Sequence, residues 1–390
     1  MKQVITTEKI PIKIWSDNVE ESALEQAKNL ANLPFAFKHI ALMPDVHCGY
    51  GMPIGGVMAT KGVIVPNAVG LDISCGMLAQ QTDIQYIKDL QLFDEDSNEK
   101  QMLKDWMGQI RECIPVGFNH NKEPQNDPVF NDVPDIEILQ RELNSAKHQL
   151  GTLGGGNHFI EIQQDEQGYL WVMIHSGSRN LGKKVADYYH NKAKELCDKW
   201  YPNLPTMDLA FLPLNTEEGQ EYFEAMNFCV RFSLANRLNM LRKINKIIGE
   251  DRFPEPPENI NHNYAVMENH FNTNVLVHRK GATLARKGTI GIIPGSMGTS
   301  SYIVEGLGNQ ESFNSCSHGA GRKLGRKEAQ RTLILKEEQD KMEGIIGSPR
   351  NQDELEEAPG AYKDIDEVME NQKDLVKIIH KLTPLASIKG

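Results

Sequence analysis

The chain has 390 residues, of which 39% are hydrophobic and 24% are charged, and its formal net charge is −11. This composition is typical of a globular protein with a large core, and the negative charge argues against broad, non-specific wrapping of nucleic acid. No segment approaches the roughly 20 apolar residues of a membrane span, and no signal peptide is apparent. We therefore expect a cytoplasmic protein with no membrane partner.

The first predicted element is a helix over residues 19–31, where apolar residues recur at helical spacing. Residues 39–45 are expected to form a short buried strand that enters a loop. Glycines lie among β-branched residues over 45–77, which favours short strands and tight turns and makes helices unexpected there. The pattern over 86–113 then predicts a helix.

A polar segment at 119–134 is expected to be an exposed loop, and a helix is predicted over 135–150. Two apolar runs, 159–162 and 169–175, are separated by a polar turn and predict a β-hairpin. This hairpin would carry a histidine near each outer end. The pattern over 179–200 is one of the two longest helical patterns in the chain.

The second long helix is predicted over 217–248, and short strands with glycine turns return over 273–304. Helices are also expected over 322–342 and 364–381. The sequence contains no internal repeat and no low-complexity linker. Because residues with chemical potential lie in several separated glycine-rich blocks, we expect one intertwined domain over residues 1–390.

The first of these blocks is VGLDISCGM, in which Asp72 and Cys75 are three residues apart between glycines. A carboxylate and a thiolate that converge from a tight turn suit Mn, Co or Zn, and a thiolate can bridge two ions. In isolation the block is weak, because a free cysteine is more often an inert buried residue. The six cysteines contain no CxxC pair, and Cys48 is interpreted as structural.

The second block, GTLGGGNHFIEI, places Asn157, His158 and Glu161 after three glycines whose backbone amides can surround a phosphate. It matches neither a Walker motif nor a dinucleotide fingerprint, and a turn required only by packing is the alternative. In the third block, HSGSRNLGKKV, His175 ends a strand, and Arg179 opens a helix whose N-terminal amides could bind an anion.

His262 lies between two asparagines, and His318 precedes a GAGR turn in which Arg322 can bind phosphate. The hydroxyl-rich turn around Ser296 offers groups that could read a nucleotide. The candidate ligands suffice for two ions that share a thiolate and keep open positions. The residues therefore indicate a metal-dependent enzyme for a phosphate-containing substrate, without distinguishing a phosphodiesterase from a nucleotidyltransferase.

Taken together, these blocks resemble the RtcB family of RNA ligases. The matching segments are MPDVHCGYGMPIGG, VGLDISCGM, GGGNHFIE, HSGSR, HNYA, PGSMGTSSY, CSHGAGR and the closing TPLASIKG. The resemblance covers nearly the whole chain and implies an α+β fold, with mixed β-sheets flanked by helices around a central dinuclear metal and GMP cleft. It also implies two Mn²⁺ ions and GTP as cofactors.

By position in these motifs, His318 would be the nucleophile that carries GMP. Cys75 would bridge both ions, with Asp72 and His158 holding one ion and His175 and His262 the other. The resemblance also implies a set of nucleotide-contacting residues: Asn157, Phe159, Glu161, Ser296, Gly319, Ala320, Gly321, Arg322, Tyr362 and Lys389.

The implied reaction joins an RNA 3′-phosphate or 2′,3′-cyclic phosphate end to a 5′-hydroxyl end, in tRNA splicing or RNA repair. An archease-type activator is a further implied partner. Basic side chains would contact the RNA backbone, although each could equally be a solvated surface charge. These are Arg179, Lys183, Lys184, Arg279 and Arg286.

Three other functions compete with this interpretation. A metal-dependent RNA end-processing phosphodiesterase would keep the metal site without guanylylation, and His318 with its GAGR turn argues against it. A binding module would sense RNA ends or guanine nucleotide without turnover. A third enzyme would cap 3′-phosphate ends with GMP without joining them, and its products on a nicked substrate would separate it from a ligase.

Overall fold

The computed structural model describes residues 1–85, 98–201 and 203–390, and the side chains of residues 98 and 99 are not described. Its helices are α1 (Glu21–Ala31), α2 (Pro66–Val69), α3 (Asn98–Cys113), α4 (Glu137–Gln149), α5 (Arg179–Trp200), α6 (Glu217–Ile248), α7 (Arg326–Thr332), α8 (Leu335–Asp340) and α9 (Ile365–Glu370).

The strands up to residue 213 are β1 (Gln3–Ile5), β2 (Ile12–Ile14), β3 (Ala36–His47), β4 (Ile54–Thr60), β5 (Val63–Ile64), β6 (Gly76–Gln85), β7 (Phe159–Gln164), β8 (Tyr169–Ser176) and β9 (Leu212–Pro213). The later strands are β10 (Glu258–Asn261), β11 (Asn263–His270), β12 (Thr273–Lys280), β13 (Ala282–Leu284), β14 (Ile290–Ile293), β15 (Ser301–Gly306), β16 (Ser315–Ser317) and β17 (Val376–Lys389).

Two large sheets organise the fold, a mixed one in which only β2 and β3 run parallel and a second that is antiparallel throughout. One has the strand order β1-β2-β3-β4-β12-β11, and the other has the order β10-β6-β8-β7-β17-β15-β14. Helices α4, α5 and α6 bury apolar faces against one another and against the first sheet. Helix α3 and the second half of α6 cover the second sheet. The expected α+β architecture, with sheets flanked by helices, is confirmed.

Several predicted elements are found where the sequence placed them. Helix α1 lies within the predicted 19–31, α4 within 135–150, and α6 matches 217–248. The predicted hairpin is the antiparallel pair β7–β8, in which Phe159 faces His175. For the helix predicted over 86–113, residues 86–97 lie outside the described residues, and α3 accounts for the remainder.

Three predictions were wrong in part. Residues 45–77 include the short helix α2, which Pro66 starts at its first position, where its fixed φ favours a helix. The helix predicted over 322–342 is broken into α7 and α8 at Leu333, whose ψ of 147° is extended. Of 364–381, only α9 is helical, because the following residues form β17 and pair with β15.

Strand β17 brings the end of the chain into the middle of the second sheet. It pairs with β15 through its first half and with β7 through its second half, and Lys389 lies opposite Phe159. Propensity alone cannot anticipate this, since the stabilisation of a strand comes from neighbours that are distant in sequence. Among the described residues, no helix has both the length and the apolar character needed to cross a bilayer.

Candidate metal and nucleotide site

The five predicted metal ligands come from four parts of the chain and meet at one end of the second sheet. Asp72 and Cys75 lie in the turn between α2 and β6, and His158 immediately precedes β7. His175 lies near the end of β8, and His262 lies in the one-residue gap between β10 and β11. Sheet pairing thus brings together residues that are nearly 200 positions apart.

Helix α6 holds the turn that carries Cys75. Ser233 donates a hydrogen bond of 2.6 Å to the carbonyl of Ser74, and Arg237 donates to the carbonyls of Ser74 and Ser176. Arg237 is fully buried, and burial lowers its pKa to about 10, while the nearby Cys75 and Asp72 act to raise it. The sequence analysis did not identify Arg237, because its partners, backbone carbonyls and the side chains of Asn259 and Asn261, come mostly from distant segments.

The ligand atoms form two groups that share one thiol. Cys75, His175 and His262 make one group, and Asp72, Cys75 and His158 make the other, with all ligand atoms of a group within 4.8 Å of one another. The Cys75 sulfur lies 3.4 Å from Nε2 of His158 and 3.2 Å from Nε2 of His175. This is the arrangement expected of two ions with a bridging thiolate.

The hydrogen bonds of two histidines at Nδ1 orient their rings so that Nε2 faces the thiol. Nδ1 of His158 lies 3.0 Å from the carbonyl of Leu153, and Nδ1 of His175 lies 3.0 Å from the carbonyl of Asn157. A carbonyl only accepts, so each Nδ1 carries a proton. Each Nε2 then faces the other ligand atoms: that of His158 lies 3.0 Å from Oδ2 of Asp72, and that of His175 lies 3.3 Å from Nε2 of His262.

Burial lowers the pKa of two of the three histidines in this cluster. Burial and the neighbouring His158 lower the pKa of His175, and burial and His318 lower the pKa of His262. Burial and the Asp72 carboxylate raise the pKa of the Cys75 thiol. A divalent cation would reverse this last effect by binding the thiolate. A partly exposed carboxylate, a buried thiol and three buried imidazoles fit a transition metal.

His318 lies beside the metal cluster and is held by a carboxylate. Its ring centroid is 4.9 Å from that of His262. Nδ1 of His318 lies 2.5 Å from Oδ2 of Asp45, which also accepts the backbone N–H of His318 at 3.0 Å. Burial would raise the pKa of Asp45, but His318 holds it below its usual value. With Nδ1 so engaged, Nε2 is the nitrogen left with a lone pair.

The sequence analysis assigned no role to Asp45, although it lies in the matched MPDVH segment. Asp45 is on β3, and His318 directly follows β16, 273 positions further along. A glycine allows this approach: Gly321 has a φ of +75°, and a Cβ there would lie 2.3 Å from the carbonyl oxygen of Asp45. The only sequence signal for Asp45 was an acidic residue at the end of a buried strand.

A cavity of about 610 Å³ opens on one side of His318. Besides His318, its wall contains most of the residues expected to contact the nucleotide: Asn157, Phe159, Gly319, Ala320, Gly321, Arg322, Tyr362 and Lys389. The cavity size suits a nucleotide. The structure therefore brings together residues from the start of β7, from the GAGR turn, and Tyr362 and Lys389 from the last part of the chain.

Two expected residues lie outside that wall. Glu161 is buried and accepts hydrogen bonds from Gln163 and Ser387. Ser296 is also buried, and its backbone N–H donates to Thr299 at 2.7 Å. Burial raises the pKa of Glu161, although Lys389 acts against this.

The far end of the cavity is a charged network around Glu357, which the sequence analysis did not identify. Arg322 and Arg326 lie 3.1 and 3.2 Å from its carboxylate, and the Tyr362 hydroxyl donates to the same group. The Arg322 guanidinium also lies 5.2 Å from the centre of the Tyr362 ring. Lys389 lies 4.8 Å from the centre of the Phe159 ring. The network fixes the orientation of both aromatic rings.

Two of the basic residues expected to contact RNA have other roles. Arg279 is fully buried and pairs with Glu268 through two nitrogens, at 2.7 and 3.1 Å. Arg179 is part-buried and donates to Thr152 and to the carbonyl of Gly117. The expectation was wrong for Arg279, because its side chain is fully buried and its charge is paired with a buried carboxylate. Arg179 holds the glycine turn before His158.

The remaining three, Lys183, Lys184 and Arg286, are exposed or half-exposed. Cys48 also differs from its predicted structural role. Its side chain is exposed, and it lines both the 610 Å³ cavity and a second cavity of about 580 Å³ on the metal side of His318.

Comparison with known proteins supplies a family. The model of the family described as "tRNA-splicing ligase RtcB" matches residues 26–135 and 128–390. The chain is 39% identical over its whole length to the RNA-splicing ligase RtcB of Escherichia coli K12, covering 99% of that protein. It is 31% identical, over 98% of its length, to the tRNA-splicing ligase RtcB of Thermococcus kodakarensis, covering 95% of that protein.

Proposed function

The chain belongs to the RtcB family and is an RNA ligase, and on this premise we propose that it joins RNA ends through a guanylate carried on His318. The observation that carries the proposal is the Asp45–His318 pair at the boundary between the nucleotide-sized cavity and the metal cluster. A nucleophilic histidine needs one nitrogen oriented and the other free, which this pair supplies.

In the first step, Nε2 of His318 attacks the α-phosphorus of GTP. A nitrogen–phosphorus bond forms, the bond from that phosphorus to the bridging oxygen breaks, and pyrophosphate leaves. The imidazole becomes positively charged as the bond forms, and the Asp45 carboxylate, which accepts the Nδ1 proton in a hydrogen bond, stabilises that charge. The product is His318 with GMP bound through a phosphoramidate.

In the second step, an oxygen of the RNA 3′-phosphate attacks the guanylate phosphorus and the bond to His318 breaks. The 5′-hydroxyl of the other RNA end then attacks the phosphorus of the 3′-phosphate, and GMP leaves as the phosphodiester forms. A 2′,3′-cyclic phosphate must first be opened by water. GMP is a good leaving group and makes the phosphorus of the RNA 3′-phosphate electrophilic. The GTP from which this GMP comes therefore provides the free energy of ligation.

The enzyme depends on metal, and we propose two Mn²⁺ ions as the metal. The five residues Asp72, Cys75, His158, His175 and His262 would hold them. Bound there, the ions supply positive charge that polarises phosphoryl oxygens and stabilises the charge that develops on them. The proposed division of ligands agrees with the two groups that share Cys75.

The proposal assigns the guanylate to the 610 Å³ cavity. Asn157 lies between the glycine turn and His158 and could donate to the α-phosphate, while Phe159 and Tyr362 offer rings to the base. We propose that Lys389, in the cavity wall, and Glu161, buried outside it, contact polar groups of guanine. We also propose that residues 1–390 act as one domain, because the site draws on positions from 45 to 389.

The proposed partners are RNA ends with a 3′-phosphate or 2′,3′-cyclic phosphate and a 5′-hydroxyl, and an archease-type activator. A cytoplasmic location is part of the same proposal. A nicked RNA duplex and a lone 3′-phosphate oligonucleotide distinguish ligation from the alternatives. The ligase seals the nick, a capping enzyme leaves GMP on both substrates, and a phosphodiesterase only shortens or dephosphorylates them.

The test of the central step is retention of label from α-labelled GTP with Mn²⁺ on the denatured full chain. We expect acid-labile label on the wild type and none on His318→Ala. His380→Ala is the matched control, since that histidine pairs with Glu166 on the surface. Absence of label from wild-type protein that is metal-loaded and initially free of GMP would favour the phosphodiesterase instead.

A further inference from the structure

The loop after β3 presents an unpaired aromatic ring where the two cavities meet. Tyr50 is 69% exposed and lines both the 610 Å³ cavity and the 580 Å³ cavity. Within residues 1–85, 98–201 and 203–390, no other ring stacks on it and its hydroxyl makes no hydrogen bond. Packing of the protein therefore gives no reason for an aromatic residue at this position.

The backbone that carries the ring is held firmly even though the ring is free. Lys280 donates from Nζ to the carbonyl of Tyr50 at 2.6 Å and to that of Asn67 at 2.9 Å. The next residue, Gly51, has a φ of +68°, and a Cβ there would lie 2.7 Å from the carbonyl oxygen of Asp208. The ring is thus projected from a fixed point beside the reacting groups.

The 580 Å³ cavity lies on the metal side of His318, and its wall includes Asp72, Cys75 and His262. Most of the nucleotide-contacting residues expected for GTP line the other cavity, and of these only Asn157 lines both. An RNA end that reacts with a guanylate on His318 has to enter from the side that the guanylate does not fill. The cavity that Tyr50 borders on the metal side is therefore the entry for the RNA end.

We propose that the Tyr50 ring is the platform on which the terminal nucleobase of the incoming 3′-phosphate RNA stacks, which would orient that phosphate toward His318. The inference rests on the proposed function for the position of the guanylate. Each of the nucleobases has a flat apolar face that can stack on a ring. Stacking therefore provides affinity without sequence preference, as an enzyme that joins varied ends requires. Leu71, 38% exposed on the same cavity, adds apolar surface.

The experiment measures binding of an RNA oligonucleotide with a 3′-phosphate and 2-aminopurine as its last base, to the full chain without GTP. Stacking quenches the fluorescence of this base. We expect Tyr50→Ala to weaken binding by about 5- to 150-fold, which corresponds to the roughly 1–3 kcal/mol of one base–aromatic contact. The quenching of 2-aminopurine fluorescence that the wild type causes on binding should also be lost in Tyr50→Ala.

Two further variants make the result specific. Tyr50→Phe keeps the ring and should restore both affinity and quenching, whereas equal losses in Tyr50→Phe and Tyr50→Ala would assign the effect to the hydroxyl and overturn the proposal. Trp200→Ala is the matched control, because Trp200 is 55% exposed and lines neither cavity. Unchanged binding by Tyr50→Ala would also overturn the proposal.

Labelling with α-labelled GTP, run on the same proteins, separates this inference from the proposed function. We expect Tyr50→Ala to reduce RNA affinity by a larger factor than it reduces the extent of GMP labelling. Loss of labelling with unchanged RNA binding would move the ring to the nucleotide cavity and overturn the proposal. If the wild type takes no label but Tyr50→Ala still loses RNA binding, the guanylate mechanism fails and the stacking platform stands.

Discussion

Oδ2 of Asp45 contacts both the ring Nδ1 and the backbone N–H of His318, at 2.5 and 3.0 Å. One carboxylate oxygen therefore fixes the position of the residue and the tautomer of its ring. Among the described residues, the other oxygen of Asp45 has no hydrogen-bond partner. Burying a charged carboxylate costs free energy, so we expect the charge of Asp45 to serve the chemistry of His318.

The Asn variant of Asp45 should keep the shape of the site but lose the charge that stabilises a positively charged ring. We expect Asp45→Asn to slow GMP labelling by about 10²- to 10⁴-fold, as for loss of a positioned acid–base partner. The measurement is the rate of label retention from α-labelled GTP. Asp187→Asn, on the exposed face of α5, is the control. A rate within tenfold of the wild type would contradict a role for Asp45.

Cys75 belongs to both ligand groups, whereas His262 belongs to one. We therefore expect Cys75→Ala to lose both Mn²⁺ ions and His262→Ala to lose about one of them. Titration calorimetry with Mn²⁺ on the full chain, together with elemental analysis, gives the stoichiometry. Cys113→Ala is the matched control, because Cys113 is outside the cluster and only partly buried. Equal stoichiometry in the two site variants would exclude a bridging thiolate.

A thiolate and three imidazoles bind Zn²⁺ more tightly than Mn²⁺, following the general affinity order of divalent metals. We expect excess zinc to displace manganese and inhibit ligation, with activity restored when a chelator removes zinc and Mn²⁺ is added back. Ligation of a nicked RNA at increasing Zn²⁺ measures this. Full activity with zinc as the sole metal would count against the manganese assignment.

The buried pair of Arg279 and Glu268 predicts a stability effect where the sequence suggested RNA binding. We expect Arg279→Ala to lower the free energy of unfolding by about 3–5 kcal/mol, because it removes the two-nitrogen ion pair from a buried carboxylate and leaves it with His270 and the more distant Arg286. Denaturant unfolding measures this, with the exposed Arg331→Ala as control. Unchanged stability accompanied by weaker RNA binding would restore the sequence-based interpretation.

The same pair makes stability depend on acid pH. Burial would raise the pKa of Glu268, but His270 and Arg279 lower it from 4.5 to about 2. As the pH falls, Glu268 takes up a proton at a higher pH in the unfolded chain than in the folded protein. The stabilisation from Glu268 is therefore complete above about pH 4.5 and declines toward pH 2. It amounts to about 3 kcal/mol. The stability gap between wild type and Glu268→Gln should therefore narrow between pH 5 and 3.

Circular dichroism in denaturant at several pH values follows this gap. Glu195→Gln, an exposed position on α5, provides the matched control and should show no such narrowing. A gap between wild type and Glu268→Gln that stays constant down to pH 3 would show that the carboxylate is not preferentially ionised in the folded protein.

The sequence by itself determined which chemical groups the site has, because metal ligation and phosphate binding need particular residue types beside flexible turns. The five proposed ligands, His318 and the glycine turns were all candidates from the sequence, and the family resemblance supplied their proposed roles. The long helices α5 and α6 were also predictable, since their periodicity is a local property. So was the β7–β8 hairpin, whose strands are separated by only a short turn.

The tertiary structure alone decided how these groups are arranged, because burial and pairing depend on segments far apart in the chain. Asp45 has a role only because β3 lies beside the turn after β16. Arg279 is not available to contact RNA, because it is buried in an ion pair with Glu268. Residues 376–381 belong to a strand rather than to the predicted helix because β7 and β15 leave hydrogen-bonding edges for β17, and this places Lys389 beside Phe159.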